Sequence, residues 1–329
     1  MIAPRFWRDE RPGWVARALS PLGAIYGAAT ARRMALRGEK VAAPVLCIGN
    51  FVVGGAGKTP TAIAVAKLLQ ASGERVAFLS RGYGGEERAE SMRVDPLMHQ
   101  ARQVGDEPLL LSRISPCFVG PDRVASAQAA IEAGASVLVM DDGLQNPALI
   151  KDLSLAVVDG EALFGNGLCL PAGPMRAPLA AQMRFVGATV MVGGGANAIQ
   201  RLVDAAPDKP IFRARLQADA LAAADLIGRP VYAFAGIARP EKFFATLAQI
   251  GASVVQKRHY PDHHAFTPRE IEKLLAEAAT RDLLLVTTEK DFVRLTTGER
   301  EGIRTLKVAA VFDDVSAMGR LLDSVAPRP

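Results

Sequence analysis

The sequence contains few cysteines, and no two of them stand in a recognisable pair. Cys47, Cys117 and Cys169 are the only three in 329 residues, and they lie far apart in apolar surroundings. An odd number of separated cysteines is typical of core thiols in a reducing compartment. Three of the four histidines cluster at 259–264 with no cysteine nearby, and this spacing disfavours a zinc site.

The sequence also lacks an N-terminal hydrophobic run long enough to cross a bilayer. The uncharged run 18–31 is too short and is interrupted by Pro21, Gly23 and Gly27. Its larger side chains nevertheless predict an amphipathic helix over 14–37, with arginines on both sides of the apolar stripe. The helix is expected either to lie in a membrane interface or to pack on the protein's own core. The apolar stripe consists of Ala18, Leu22, Ile25, Tyr26 and Ala29.

A basic surface spread along the whole chain is missing as well. The net charge is +5, and residues 1–40 alone hold eight basic and three acidic side chains, so the remainder is neutral overall. A charge excess confined to one segment argues against a nucleic-acid-binding surface. It would instead attract the predicted helix to anionic lipid headgroups.

One glycine-rich stretch, residues 47–60, is the strongest chemical signal in the chain. The apolar run 43–48 predicts a buried strand before the glycines, and 61–71 predicts an amphipathic helix after them. Strand, glycine turn, Gly-Lys-Thr and helix form the context of a phosphate-binding loop. Because Val52 stands where the general pattern has its first glycine, the glycines at 54–55 must supply the backbone freedom.

The chemistry of this loop follows from its backbone. Amide groups at a helix N-terminus have no intrahelical partner and carry partial positive charge, and glycines let them converge on an anion. Lys58 is placed to reach a terminal phosphate, and the hydroxyl group of Thr59 to bind Mg²⁺. We therefore predict an ATP and Mg²⁺ site with nucleotide contacts from Val52, Val53, Gly54, Gly55, Ala56, Gly57, Lys58 and Thr59.

Three aspartates stand at the ends of predicted core elements, two after a strand and one at the start of a helix. The apolar strand 136–140 runs into Asp141 and Asp142, as in the metal-facing half of a phosphate-loop site. A hairpin turn at this Asp-Gly sequence is the alternative. Asp106 stands before Pro108 at a predicted helix start, so helix capping and catalysis are both open for it.

Two glycine-rich loops carry side chains suited to phosphate: the first could bind a phosphate and a sugar, and the second presents an arginine that could stabilise the charge of a transferring phosphoryl group. Strand 75–79 leads into Arg81 and Tyr83, and a rigid Pro/Gly loop presents Arg176. In an open α/β sheet such loops form the ligand crevice, where arginine suits phosphate and tyrosine suits a sugar. Ordinary turns with exposed arginines remain open for both loops.

The order of these patterns predicts an α/β fold with a P-loop NTPase-like core and a mostly parallel sheet. We divide the chain into a basic amphipathic helix (1–40), a P-loop core (41–208), and a hinge strand with a smaller C-terminal α/β unit (209–329). A second series of strands and helices from residue 231 onward supports the last unit.

Taken together, these motifs resemble those of the tetraacyldisaccharide 4'-kinase family of Gram-negative bacteria, over nearly the whole chain. That family's phosphate loop also lacks the first glycine. Several motifs in one order are more specific than any one alone. The matching stretches are 49–50, 54–60, Ser-Arg-Gly-Tyr-Gly at 80–84, Gly-Asp-Glu-Pro at 105–108, Asp-Asp-Gly at 141–143, Leu-Pro-Ala-Gly-Pro at 170–174, Asp-His-His at 262–264 and Thr-Glu-Lys-Asp at 288–291.

The resemblance implies transfer of the ATP γ-phosphate to the 4'-hydroxyl of a tetraacyldisaccharide 1-phosphate in lipid A biosynthesis. It implies a peripheral protein on the cytoplasmic face of the inner membrane, which we expect to be monomeric. By matching position, Asp106 is the expected base and His263 its partner from the other unit, so lid closure would assemble the pair. Lys58 completes the expected catalytic set. The expected acceptor contacts are Asn50, Arg81, Tyr83, Arg123 and Arg176, and the expected metal ligands are Thr59, Asp141 and Asp142.

The sequence departs from the family pattern at two positions. Asn146 and Ala177 replace the usual His and Glu, which leaves open any metal or nucleotide contact that those residues would make. A P-loop ATPase or GTPase acting as a switch or metal-delivery chaperone would account for the loop, but not for the second-unit histidines or the basic helix. Residues 288–291 lack the order of the Asn-Lys-x-Asp guanine motif, which disfavours a GTPase.

Overall fold

The computed structural model describes residues 4–86 and 90–326, which form two α/β units, each built on its own sheet. The strands of the large sheet are β1 (Val45–Gly49), β2 (Val76–Ser80), β3 (Met92–Arg93), β4 (Cys117–Val119), β5 (Val137–Asp141), β6 (Leu153–Asp159), β7 (Ala188–Val192), β8 (Ile211–Ala218) and β13 (Val308–Phe312). The strands of the small sheet are β9 (Pro230–Ala235), β10 (Ser253–His259), β11 (Leu284–Thr288) and β12 (Ile303–Leu306).

Helices cover both faces of the large sheet and flank the small one. Within the described residues they are α1 (Trp14–Met34), α2 (Lys58–Ala71), α3 (Ala101–Val104), α4 (Asp106–Ser112), α5 (Arg123–Glu132), α6 (Leu179–Met183), α7 (Ala196–Ala205), α8 (Ala220–Ala224), α9 (Pro240–Gln249), α10 (Pro268–Thr280), α11 (Glu289–Phe292) and α12 (Val315–Asp323). None of them is both long and apolar enough to cross a membrane.

The large sheet is parallel except at its two edges. Its order is β13-β8-β7-β6-β1-β5-β2-β4-β3, with antiparallel pairing only of β13 with β8 and of β3 with β4 among the described strands. The small sheet, with the order β10-β9-β11-β12, is parallel throughout. The mostly parallel α/β architecture expected from the sequence is confirmed.

Strand β1 lies inside the large sheet because its sequence is apolar on both faces. Val45 and Cys47 point into one core cluster, and Leu46 and Ile48 point into the other, which includes the apolar face of α2. Strands buried on both faces are continuous apolar runs. Strand β1 pairs with β5 on one side and with β6 on the other. The order in which successive strands are added to the sheet therefore reverses at β1. Loops at the carboxyl ends of such strands open into a crevice.

Helix α1 packs through its small residues and leaves its large apolar residues in solvent. A Cβ added at Gly23 would lie 2.7 Å from the carbonyl oxygen of Cys169, and one added at Gly27 would lie 2.7 Å from its Sγ, so only glycine allows this approach. The predicted apolar stripe is exposed, including Leu22 at 56% and Ile25 at 68%. The helix therefore uses the face opposite the stripe for its contact with the core.

The observed boundary of the C-terminal unit corrects the division at residue 209. Strands β8 and β13 both belong to the large sheet, and α12 packs on its core, so the chain returns to the first unit after β12. Antiparallel pairing places Arg215 of β8 3.0 Å from Asp313, which follows β13. Residues 211–218, placed in a hinge strand by the division above, thus form a largely exposed strand of the large sheet, next to the edge strand β13.

Candidate active site

The glycine loop leaves β1 and enters α2 through residues with left-handed backbone conformations. Gly54 has φ +121° and Gly57 has φ +87°, values that favour glycine. Because Gly57 forms the N-cap, α2 begins at Lys58, three residues before the predicted start at 61. The first turn of the helix therefore follows the loop directly, as an anion-binding loop requires.

The Pro/Gly loop at 170–176 forms one wall of the phosphate loop. The backbone amide of Val53 donates to the carbonyl oxygen of Pro174 at 2.9 Å, and that of Arg176 donates to the carbonyl oxygen of Phe51 at 2.9 Å. These backbone bonds place Arg176 beside the loop, where the sequence had only suggested an arginine on a rigid turn.

Asp142 links the phosphate loop to Arg176. Both guanidinium ends of Arg176 donate to its carboxylate, at 2.8 and 2.9 Å, and the Nζ atom of Lys58 lies 3.8 Å from Oδ1. Burial works to raise the pKa of Asp142, but Lys58 and Arg176 outweigh it and lower that pKa to about 2. Three charged residues that are distant in sequence thus meet at the end of β5.

Asp141 is the residue best suited to a cation. It is 3% exposed, and neither carboxylate oxygen has a hydrogen-bond partner among the residues that the structure describes. Burial, with the charges of Glu107 and Asp142, raises its pKa to about 8. A buried carboxylate with two unpartnered oxygens needs a positive partner. The chemistry of these two oxygens therefore fits a cation such as Mg²⁺, whereas the Asp142 carboxylate is already engaged by Arg176.

The structure brings Asp106 and His263 together across the two units. Asp106 is the first residue of α4 and only 4% exposed, and its Oδ2 lies 3.0 Å from Nδ1 of His263. The backbone amide of Glu107 donates to Oδ1 at 2.8 Å. Burial would raise the pKa of Asp106, but the His263 hydrogen bond and the charges of Lys290 and Arg294 hold it well below its usual range.

Two further cations from the C-terminal unit reach this pair, and the sequence reasoning missed both. Lys290 lies 3.0 Å from Oε1 of Glu107 and 3.4 Å from Nε2 of His263, and Nε of Arg294 donates to Asp106 at 2.7 Å. Lys290 and Arg294 stand one helical turn apart just after a predicted strand. The rule that directed attention to Asp141 at a strand end would have indicated them too.

The other residues predicted to contact the acceptor differ in how exposed they are. Tyr83 is 66% exposed and its ring meets that of His263 edge-on, with centroids 5.3 Å apart, and Arg81 is exposed in the same loop. Asn50 is fully buried inside the phosphate loop. Arg123 corrects the prediction most clearly, since it is 5% exposed and its Nη1 donates to two backbone carbonyl groups at 2.9 and 2.5 Å. Those bonds give Arg123 a structural role in holding strand ends.

The two positions that depart from the family pattern have local structural contacts. The side-chain oxygen of Asn146 accepts from the backbone amide of Ala148 at 2.8 Å. Ala177 is fully buried, and its carbonyl oxygen accepts from Gln182 at 2.6 Å. Neither contact replaces a charged ligand of the site.

A cleft of about 210 Å³ lies between α1 and the phosphate loop. Arg33 from α1 donates to the backbone oxygen of Gln145 at 3.4 Å, and Arg176 donates to the side-chain oxygen of the same glutamine at 3.1 Å. The cleft thus connects the N-terminal helix with the arginine that holds Asp142. Its lining residues are Tyr26, Thr30, Arg33, Val53, Gln145 and Arg176.

Comparisons with known proteins identify relatives of this chain. The chain is 53% identical to the tetraacyldisaccharide 4'-kinase of Methylobacterium radiotolerans, with 100% of both chains covered, and 48% identical to that of Gluconacetobacter diazotrophicus, with 98% of each covered. A crystal structure of LpxK from Aquifex aeolicus in complex with ATP has a TM-score of 0.73 at 25% identity, covering 94% of this chain and 99% of that one. The model of the tetraacyldisaccharide-1-P 4'-kinase family matches residues 15–326, and the chain therefore belongs to this family.

Proposed function

We propose that this protein transfers the γ-phosphate of ATP to the 4'-hydroxyl of a tetraacyldisaccharide 1-phosphate, a step of lipid A biosynthesis. Membership of the family supports the reaction. The observation that carries the residue assignment is the 3.0 Å contact of Asp106 with His263, made across two units beside a phosphate loop. Proton transfer from an alcohol needs such a base at the site of phosphoryl transfer.

The nucleotide side of the reaction belongs to the loop and its neighbours. The backbone amides of 54–57 and the Lys58 ammonium group hold the phosphates, and Arg176, held by Asp142, faces the transferring group. Asp141 and Thr59 would hold Mg²⁺, which neutralises phosphate charge when it is bound. These residues all lie at the carboxyl edge of the large sheet, so they can contact one nucleotide together without any movement of the core.

Asp106 is proposed to accept the hydroxyl proton through Oδ1. Its Oδ2 already accepts from His263 and Arg294, whereas Oδ1 accepts one described hydrogen bond, from the Glu107 amide. A carboxylate oxygen has room for a second donor. His263 orients the carboxylate, and since it belongs to the C-terminal unit, the pair exists only when that unit lies against the core.

The acceptor is proposed to arrive from a membrane surface along α1. Trp14 is 81% exposed, and with Leu22 and Ile25 it forms an apolar face on a helix that also carries arginines. Such a face suits the interface of a membrane with anionic lipids. The cleft beneath α1 leads to Arg176 and suits a phosphorylated sugar. We therefore propose a peripheral monomer on the cytoplasmic face of the inner membrane, since one chain supplies both members of the pair.

Product analysis tests this assignment. Purified protein with ATP, Mg²⁺ and tetraacyldisaccharide 1-phosphate should give a bisphosphorylated product by mass spectrometry. Asp106→Ala should lower kcat by about 10²–10⁴-fold, and His263→Ala should also lower it. His259→Ala is the matched control, because this histidine is in the same unit, exposed, and 3.6 Å from Glu241 outside the site. Absence of product, or equal activity of all variants, would contradict the proposal, and ATP hydrolysis without an acceptor would favour the ATPase alternative.

A further inference from the structure

Arg294 contacts the proposed base Asp106 directly, although no sequence motif had indicated this arginine. Its side chain is 6% exposed, and its Nε donates to Oδ2 of Asp106 at 2.7 Å while Nη2 bonds the same oxygen. The remaining end, Nη1, donates to Oδ1 of Asp291 at 2.7 Å and to the carbonyl oxygen of Gly236 at 2.8 Å. One guanidinium group therefore connects the C-terminal unit with a carboxylate of the core.

Asp291 is itself held within the C-terminal unit. Its two carboxylate oxygens accept from the Gly236 amide at 3.1 Å each, and Thr288 Oγ1 donates to it at 2.7 Å. Asp291 is fully buried. Hydrogen bonds therefore run from the end of β9 through Asp291 and Arg294 to Asp106, all in a water-excluded place where such bonds are strong and well oriented.

We propose that Arg294 is a positioning residue for the phosphoryl transfer, which fixes the rotamer of Asp106 so that Oδ1 faces the acceptor hydroxyl. The inference rests on the proposed role of Asp106 as the base. Arginine suits this task because its planar group presents donors in a fixed fork, whereas lysine offers a single point charge. By engaging Oδ2 alone, Arg294 leaves Oδ1 to the acceptor hydroxyl.

The charged groups around Asp106 come from both units. Lys290 is paired with Glu107, so Arg294 is the cation that directly contacts the carboxylate. An opposite charge at this range lowers a carboxyl pKa by about 1–3 units. Removing Arg294 should therefore raise the pKa of Asp106 by that amount. The groups that face it are Glu107 of α4, and Asp262, His263, Lys290, Asp291 and Arg294 of the C-terminal unit.

The pH dependence of kcat/KM with the lipid acceptor tests the inference. In Arg294→Gln we expect the acid limb to move up by about 1–3 pH units and kcat to fall about 10²-fold, with the KM for ATP unchanged, because the base is misplaced but the loop is intact. Arg294→Lys should recover most of the limb position but only part of kcat. Arg300→Gln, in the same segment but bonded to backbone carbonyls of 292–293, should behave as wild type.

Each alternative result has a distinct meaning. An activity loss in Arg294→Gln that is equal at every pH and accompanied by a lower Tm would overturn the inference and leave a structural arginine. If Arg294→Gln does not fold, Arg294→Lys decides: a lower kcat with the Tm retained and the acid limb near that of wild type supports the inference, and a kcat equal to that of wild type overturns it. An active Asp106→Asn would overturn the proposed base itself, whereas an inactive Asp106→Asn with an unshifted Arg294→Gln profile would overturn the inference alone.

Discussion

Gly57 and Gly73 offer a matched test of the phosphate loop, because they flank the two ends of α2 and share a left-handed backbone. Their φ angles are +87° and +94°. A Cβ at Gly57 would lie 3.5 Å from the side chain of Val192, an ordinary contact, and one at Gly73 would have no atom within 4 Å. Space is therefore sufficient at both positions, and backbone strain is the effect that the two alanine substitutions share.

The expected magnitudes separate stability from binding. Left-handed backbone costs a residue with a Cβ about 1–2 kcal/mol, so both Gly→Ala variants should lose that much unfolding free energy and a few degrees of Tm. At Gly57 any relief of the strain displaces the amides that face the phosphates. Loss of one hydrogen bond to a charged group costs about 1.5–3 kcal/mol, which corresponds to roughly a 10–100-fold weaker Kd for ATP.

Isothermal titration with Mg²⁺ and ATP, combined with thermal unfolding, measures both quantities on the same samples. Gly57→Ala should bind ATP weakly and Gly73→Ala should bind it as wild type, although their Tm values are lowered alike. Equal ATP affinity in the two variants, whether retained or lost, would refute the reasoning. It would mean that the left-handed turn serves only to start the helix.

Three other changes test the remaining parts of the site. Lys58→Met should lower kcat by about 10²-fold or more with Tm retained, because the phosphates lose their charged partner; a smaller loss of product formation would speak against that role. Replacing Trp14 and Ile25 together by serine should reduce sedimentation with anionic vesicles but not Tm, since both side chains are solvent-exposed; unchanged sedimentation would remove the membrane surface from the proposal. The unfolding free energy should fall as the pH drops from about 4 towards 2, because the folded pKa of Asp142 is about 2 and its ordinary value is 3.8. Because folding lowers the pKa of Asp142, its ionised carboxylate stabilises the folded state fully above the ordinary pKa of 3.8. This stabilisation is lost as the pH falls through the folded-state pKa of about 2. Urea unfolding at several pH values should show a smaller fall in Asp142→Asn, and an identical fall would exclude this carboxylate as a contributor.

Local patterns were sufficient for the strand before the glycine loop and, to within three residues, for the helix after it. Residues 45–49 form the expected strand because its side chains are apolar on both faces, and Gly57 caps the helix start because glycine favours the left-handed backbone found there. Such signals lie within a few residues of the structure that they produce. The parallel α/β class followed from the order of these elements, and it is confirmed.

Features that depend on distant residues were predicted less well. The edge pairing of β8 with β13 joins segments almost 100 residues apart, and nothing near residue 211 indicates that the chain returns to the large sheet. Arg123 was misinterpreted for the same reason, because its partners are carbonyl groups at the ends of other elements. The burial of a charged side chain in a loop motif depends on elements that are distant in sequence, so it cannot be inferred from the motif itself.

The contacts between the two units differ on the two sides of the phosphate loop. On one side of the phosphate loop, Asp159 of the core pairs with Arg239 at 2.7 Å and Lys242 at 2.8 Å, whose side chains keep 28% and 33% exposure. The Asp159 carboxylate itself is buried, so these ion pairs are hydrated only on the side of the two cations. On the other side, the Asp106–Arg294 contact is buried and closes the C-terminal unit over the base. The two units are therefore held together by a partly hydrated ion-pair cluster on one side and by a buried ion pair on the other, and only the buried one engages Asp106.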